Sequence, residues 1–278
     1  IEFENKWRFK VSAEIYKQLG DYSYPYMSFY LYNKPDFSLA DRPPIVSYNF
    51  NEPSTLFNGM ISPLIPYTIK GVVWYQGENN AFRHEEYGEL FSLLISDWRS
   101  KWDNDFSFYY VQIAPYFNYY NSNALLREVQ RKALEIPKTG MVVTLDIGEK
   151  YDIHPSNKHD VGFRLARYAL KNDYKIDVID SGPLYISQSI HEGVIKVFFK
   201  HLGDGLVLDE NGYSEFEVAG MDKKYFVADV VNQNDFLEVF SDNVKNPLYV
   251  RYAWSDTSSA SLFNSEGLPA SSFHSDNE

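Results

Sequence analysis

Hydrophobic and polar residues follow two different patterns along this 278-residue chain, and the change falls near residue 181. Before it, short apolar runs alternate with segments whose apolar residues recur every three or four positions, which predicts strands alternating with helices. Strands are predicted at residues 71–75, 108–113 and 141–146, and helices at about 87–102, 123–136 and 158–171. This alternation favours an α/β fold with right-handed crossovers and a parallel sheet that is covered on both faces.

The segment before the first strand has a less regular pattern. Residues 54–69 form a further helical candidate, which Pro63 and Pro66 make irregular because each proline removes a backbone donor. Residues 20–53 are rich in Tyr, Pro and Asn and are typical of loops. We therefore assign residues 1–180 to one α/β domain.

After residue 181 the pattern changes to a period of two, which is typical of strands. Turn signals such as Asn211-Gly212 separate these short segments, so we expect an antiparallel β module over residues 181–257. The polar, Ser-rich residues 258–278 are expected to form an extended tail. The predicted strands of the module are 194–199, 215–218, 225–231, 236–240 and 249–254.

Composition and charge limit the class of partner. The formal net charge of −12 argues against nucleic acid, because phosphate contacts need clustered Lys and Arg. The chain has no cysteine, which excludes disulfides, thiolate metal sites and a cysteine nucleophile. No apolar run approaches the roughly 18 residues of a membrane span, and the N-terminus shows no signal-peptide pattern. Tyr and Phe are abundant, which suits a Tyr-rich core or a sugar-stacking surface.

Polar residues follow two of the predicted strands. Residues 76–80 come directly after the first strand, and Asp152 and His154 lie in the loop after the third. Ligands of open α/β sheets bind beyond the carboxyl ends of the strands. The topology therefore predicts that both segments lie at one edge of the sheet.

His154 is the best candidate for a general base, because a histidine near neutral pKa can accept and return a proton. A carboxylate would orient it, and Asp152 and Asp146 are both candidates for that role. A surface-loop histidine in a Pro turn is the alternative. A metal site built from His154, His159 and Asp152 is disfavoured because the spacing does not place both rings on one helical face. We expect no metal and no cofactor, and a structural role for His159.

Gln76, Gly77, Glu78 and Asn79 offer an amide side chain and an unhindered backbone at a strand end. An oxyanion hole requires donors of this kind, aimed where negative charge develops. We expect Gln76 to supply a side-chain donor, Gly77 to let a substrate approach and Glu78 to brace the loop. A polar turn that only ends the strand is the alternative.

These residues resemble the sialate O-acetylesterase group of carbohydrate esterases, within the SGNH hydrolases. The resemblance implies a flavodoxin-like three-layer α/β/α fold that removes acetyl groups from sugar hydroxyls without a metal. It also implies that His154 is the base and that residues 76–78 belong to the oxyanion pocket. The similar segments are 56–67, 70–81, 97–99, 111–115, 152–158, 250–254 and 266–271.

Two features depart from this family pattern. The wider SGNH pattern has Asp three residues before His, where this chain has Tyr151, so Asp152 is our candidate for the orienting acid. The family nucleophile lies in a Gly-Gln-Ser-Asn-like block, followed by a Gly-Gly-Thr-Pro-like block, and neither occurs in these residues. Ser23 follows Gly20-Asp21-Tyr22, but it is displaced and comes after a helical stretch. We therefore expect the nucleophilic serine on an N-terminal segment upstream of this chain.

Three hypotheses follow. The first is a carbohydrate O-acetylesterase, which forms an acyl-enzyme and acts on acetylated sialic acid or another acetylated glycan, with the loop 116–120 positioning the sugar. The second is a carbohydrate-binding or scaffold protein that keeps the esterase fold without turnover. The third is an esterase that uses a serine within this chain. The kind of substrate implies a secreted or periplasmic protein with no nucleic-acid or membrane partner.

Overall fold

Three parallel strands form the sheet that the first half of the chain predicts. The computed structural model describes residues 53–118, 120–209 and 215–276. The strands are β1 (Gly71–Trp74), β2 (Ser107–Val111) and β3 (Thr139–Val142), in the order β1-β2-β3. Val72 pairs with Phe108, and Tyr110 pairs with Met141. The predicted loops over residues 20–52, with Ser23, lie outside the described residues.

The three predicted helices are confirmed with small changes at their ends. They are α1 (His84–Lys101), α2 (Asn123–Lys132) and α3 (Lys158–Asn172). The Asn157 side chain accepts a hydrogen bond from the Asp160 amide at 3.1 Å and so caps the start of α3. The irregular segment before β1 contains a π-helical turn (Phe57–Ile61) and a 3-10 turn (Ser62–Leu64).

Helices contact both faces of the sheet, because successive side chains of a strand point in opposite directions. Phe91 of α1 contacts Phe108 and Tyr110, with ring centres 5.7 and 5.0 Å apart. Tyr109 lies between these two residues on the opposite face and stacks on Tyr168 of α3 at 5.5 Å. The pattern explains why β2 is buried along its whole length.

The second half of the chain forms antiparallel sheets, as its period of two predicts. One sheet has the order β4-β5-β10-β9, a second has the order β13-β11-β7-β8, and a third pairs β12 with β6. These strands are β4 (Leu184–His191), β5 (Val194–Lys200), β6 (Leu206–Leu208), β7 (Phe216–Ala219), β8 (Tyr225–Val227), β9 (Asp229–Asn232), β10 (Phe236–Phe240), β11 (Tyr249–Tyr252), β12 (Leu262–Asn264) and β13 (Phe273–His274). The predicted mixed α/β architecture is therefore confirmed.

The polar C-terminal segment is more deeply buried than its composition indicates. It supplies β12 and β13, and Phe273 has no exposed surface. Ser271 and Ser272 are also buried, with their hydroxyls bonded to Gln112 at 2.9 Å and Arg127 at 3.2 Å. From Leu56 onward the described residues belong to one compact unit. None of its described helices is both long and apolar enough to cross a membrane.

Candidate functional site

Three loops follow the carboxyl ends of the parallel strands and contain the predicted site residues. The first loop, residues 75–83, follows β1 and includes a 3-10 helix (Glu78–Arg83). The second loop, residues 112–122, follows β2, and the third loop, residues 143–157, connects β3 to α3. The names first, second and third loop are used for these segments below.

Each loop contacts the other two, directly or through the first residue of α3. The Phe82 ring of the first loop lies 5.5 Å from the Tyr120 ring of the second. The amide of Phe117 donates to the carbonyl of Lys150 in the third loop at 2.8 Å. Lys158, which begins α3, donates to the Tyr75 hydroxyl of the first loop at 3.4 Å. The three loops therefore lie next to one another at this edge of the sheet.

His154 lies in the third loop with 88% of its side chain exposed. Its backbone amide donates to Asp152 Oδ1 at 2.8 Å, whereas its ring Nδ1 is 4.0 Å from the same oxygen. Asp152 therefore fixes the backbone at His154, and its carboxylate stays just beyond hydrogen-bond distance of the ring.

Asp146, the other acid that the sequence left open, is held by α3. Arg164 donates to its two carboxylate oxygens at 2.7 and 2.5 Å and to the Val143 carbonyl at 2.7 Å. This two-pronged geometry is the strong form of an arginine–carboxylate pair. Asp152 accepts a hydrogen bond from the His154 amide, whereas no contact between Asp146 and His154 is present among the described residues.

Glu149 also organises the third loop, and sequence reasoning did not identify it. Its Oε1 accepts from the Ser156 amide at 2.7 Å and from the Ser156 hydroxyl at 2.8 Å. These two hydrogen bonds hold the pKa of Glu149 below its ordinary value, since they favour the charged carboxylate. Because the two residues are seven positions apart in a loop, no periodic pattern indicates the contact.

The predicted oxyanion residues lie in the first loop, and Gln76 is held by two contacts. Its side-chain amide donates to Asn80 Oδ1 at 2.8 Å, and its carbonyl accepts from the Tyr87 hydroxyl of α1 at 3.1 Å. The amide has a second N–H, so it can still donate to a ligand. Gln76 is partly buried.

Gly77 is buried, and its neighbours explain the glycine better than an approaching substrate does. A Cβ at this position would lie 2.9 Å from the Ile113 side chain and 3.1 Å from the Gln130 side chain. Glu78 is partly buried. The pKa of Tyr75 is raised mainly by the burial of Tyr75 and to a lesser extent by the negative charge of Glu78. Asn79 is exposed at the start of the 3-10 helix.

The structure places His159, which belongs to the disfavoured metal set, in the first turn of α3. The ring of His159 lies 3.1 Å from the Asp160 carboxylate and is exposed. In the part of the chain that the structure describes, no three His, Asp or Glu side chains are grouped as metal ligands.

Known proteins share both the sequence and the fold of this region. Residues 47–171 match the family described as carbohydrate esterase, sialic acid-specific acetylesterase. The mouse sialate O-acetylesterase is 34% identical over 134 residues, which are 40% of this chain and 25% of that protein. The predicted resemblance to sialate O-acetylesterases is confirmed. The human sialate O-acetylesterase is 28% identical over 198 residues, 62% of this chain and 35% of that protein.

A solved structure extends the similarity beyond the α/β part. The crystal structure of a carbohydrate acetylesterase from Xanthomonas citri has a TM-score of 0.75 and 38% identity, over 80% of this chain. The chain covers 54% of that structure and 25 to 35% of the mouse and human sialate O-acetylesterases. The similarity therefore concerns part of each relative.

Proposed function

We propose that the protein is a carbohydrate O-acetylesterase in which His154 is the general base and Asp152 is its orienting acid. One observation carries this proposal: the loops that contain His154 and Gln76 meet at one edge of the sheet, joined by the Lys158–Tyr75 contact. These loops lie within the segment that matches the esterase family. The substrate is an acetylated glycan, with O-acetylated sialic acid as the first candidate.

The reaction is a two-step acyl transfer. A serine hydroxyl attacks the acetyl carbonyl carbon while His154 takes its proton, and the oxyanion accepts hydrogen bonds from the Gln76 amide and from backbone N–H groups at the start of the 3-10 helix. The C–O bond to the sugar then breaks, and His154 protonates the departing oxygen. Water attacks the acyl-serine with His154 as base, which releases acetate and restores the serine.

The serine in this mechanism is supplied by a segment upstream of this chain. The nearby Ser156 is not used as the nucleophile in this proposal, because its hydroxyl donates to Glu149. In this proposal the whole domain is a flavodoxin-like three-layer SGNH fold with the antiparallel module appended near residue 181. The protein is secreted or periplasmic, where acetylated glycans are found.

Acetate release from O-acetylated sialic acid tests the proposal. We would compare this chain with the same chain extended by its upstream coding sequence, each as wild type and with His154→Ala. We expect release by the extended protein, abolished by the substitution. Release by the isolated chain would overturn the upstream serine, and inactivity of the extended protein towards all acetylated sugars would overturn the esterase.

A second function, carbohydrate binding without turnover, is favoured by the 4.0 Å separation between the His154 ring and Asp152. A triad that turns over needs this bond in the reacting complex. Glycan binding by the extended protein with no acetate release would support this alternative.

A further inference from the structure

Two exposed aromatic rings lie against each other at the site edge. Phe82 is 50% exposed and Tyr120 is 71% exposed, yet their ring centres are 5.5 Å apart at an angle of 38°. They belong to the first and second loops, which are far apart in sequence. Two aromatic rings that form one continuous surface and remain exposed to solvent are typical of a binding surface.

Arg83 adds a positive charge to this face. Its guanidinium carbon lies 5.3 Å from the centre of the Phe82 ring, a distance that suits a cation–π contact. Within the described residues, no carboxylate forms an ion pair with Arg83, in a chain whose net charge is −12. An arginine without an acidic partner in so acidic a protein is available for an anionic ligand.

The backbone beneath both rings is held in place. Ala81, beside Phe82, is 1% exposed and anchors the 3-10 helix. The Tyr120 amide donates to Asn118 Oδ1 at 3.1 Å, and Asn118 in turn donates to Asn123 Oδ1 at 3.0 Å. The rings therefore need little ordering before they bind, which lowers the entropic cost of binding.

We propose that Phe82, Tyr120 and Arg83 form a subsite for a pyranose ring that carries a carboxylate. The C–H face of the sugar lies on the two aromatic rings, and the guanidinium of Arg83 pairs with the carboxylate. The identity of the ligand as a sugar rests on the proposed function, whereas the assignment of the three residues rests on their geometry. These residues would make the enzyme select acidic over neutral glycans.

Calorimetric binding to the full chain tests this subsite, with 3′-sialyllactose and lactose as the probes. We expect sialyllactose to bind and lactose to bind at least about tenfold more weakly. Phe82→Ala is expected to weaken sialyllactose binding about tenfold, as loss of a central aromatic contact does. Arg83→Gln is expected to reduce sialyllactose affinity to that of lactose.

Phe163 gives the matched control. It is 53% exposed on α3, and Arg167 lies 5.6 Å from its ring, so it repeats the aromatic–arginine pair outside the three loops. Phe163→Ala is expected to leave the affinity unchanged. Phe82→Leu, which keeps apolar volume, shows whether any loss with Phe82→Ala reflects unfolding.

The experiments distinguish a failure of the proposed subsite from a failure of the proposed esterase activity. These probes carry no ester that must be cleaved, so binding lost with Phe82→Ala supports the subsite even if no acetate is ever released. Three results would overturn the subsite. They are unchanged binding with Phe82→Ala and Arg83→Gln, a loss of binding with Phe163→Ala equal to that with Phe82→Ala, and no binding of sialyllactose to the wild type. Acetate release in the esterase assay with the KM unchanged by Phe82→Ala would overturn it while the esterase stands.

Discussion

The ammonium of Lys158 lies 3.4 Å from the Tyr75 hydroxyl and 4.8 Å from the centre of its ring, across 83 positions of sequence. Tyr75 immediately precedes Gln76, and Lys158 follows His154 by four residues. The pair therefore connects the candidate oxyanion donor to the candidate base. A cation held over an aromatic ring is worth about 0.5–1 kcal/mol at an exposed site, which is enough to bias the relative position of two loops.

Lys158→Met should lower kcat/KM for an acetylated sugar by about tenfold, because a displacement of about 1 Å between base and oxyanion donor is costly. Steady-state kinetics of the extended protein would measure it. Lys150→Met is the control, since Lys150 lies 5.5 Å from the ring of its neighbour Tyr151, and its side chain shows no contact with a second loop among the described residues. Equal losses in the two variants would argue against a positioning role for Lys158.

His154→Ala should reduce kcat by a factor of about 100 or more, the range for loss of a general base. His159→Ala removes a similarly exposed imidazole from the same region and should leave kcat within a factor of about two of the wild type. Acetate release at saturating substrate would show the difference. If the two variants behave alike, His154 is a surface histidine.

The proposed mechanism gives Asp152 two separable roles, which Asp152→Asn and Asp152→Ala distinguish. Asparagine keeps an oxygen that can accept from the His154 amide, but it removes the negative charge that stabilises an imidazolium. We expect both variants to lose about 100-fold or more in kcat, because the charge matters more than the backbone contact. If Asp152→Asn keeps the kcat of the wild type, Asp152 only accepts the hydrogen bond from the His154 amide and does not take part in catalysis.

Asp146→Asn is the control for that pair. It breaks the two-pronged contact with Arg164, so it should lower the free energy of unfolding by roughly 1–3 kcal/mol. Because Asp146 contacts α3, kcat measured below the unfolding temperature should stay near that of the wild type.

The parallel sheet and its helices could be predicted because their periodic patterns are local. The third helix, predicted at 158–171, occupies Lys158–Asn172. The strand predicted over 225–231 is instead two strands, separated at the buried Ala228. The first of them pairs with β7 and the second with β10. The sequence of a short apolar segment does not indicate which strand it will pair with.

The C-terminal strand and parts of the site could not be predicted, because long-range contacts create them. In the sequence, Ser271 and Ser272 indicate a polar loop. In the structure both can be buried because Gln112 and Arg127 donate hydrogen bonds to their hydroxyls. One part of the site could be predicted, because the topology of a parallel sheet places the Gln76 and His154 loops at one edge. The contact of Phe82 with Tyr120 depends on two loop conformations that no period encodes.

The third loop should respond to acid through Glu149. Its pKa is lowered by hydrogen bonds from the Ser156 amide and then from the Ser156 hydroxyl. A carboxylate with a lowered folded-state pKa stabilises the fold above its unfolded pKa, ordinarily 4.5, and loses that effect as the pH falls through the folded value. The amide resonance of Ser156, followed by NMR, should therefore shift below about pH 4.5.

Glu149→Gln should abolish that titration, because glutamine does not ionise in this range, while the amide resonances of α3 stay in place. The same acid shift of Ser156 in Glu149→Gln would show that it does not come from Glu149.

Arg127 connects α2 to the last 26 residues of the chain through three hydrogen bonds. It is fully buried on α2 and donates to the carbonyls of Ala253 at 3.0 Å and Ser255 at 2.6 Å, and to the Ser272 hydroxyl. Burial lowers its pKa to about 10, opposed by the charges of Asp256 and Glu215, so it remains protonated at neutral pH. Its three bonds therefore hold a charged group in the interior.

Arg127→Met keeps the length of the side chain and removes all three donors. The buried Ala253 carbonyl and the part-buried Ser255 carbonyl then lose this partner, at about 1–3 kcal/mol for a buried acceptor, so we expect the free energy of unfolding to fall by about 3 kcal/mol. Chemical denaturation would measure it, with Lys132→Met on the same helix as the control, since the Lys132 side chain is 45% exposed and lies 3.6 Å from Glu128. A loss of under about 1 kcal/mol for Arg127→Met would show that its desolvation cost cancels these hydrogen bonds, as happens for some buried charges.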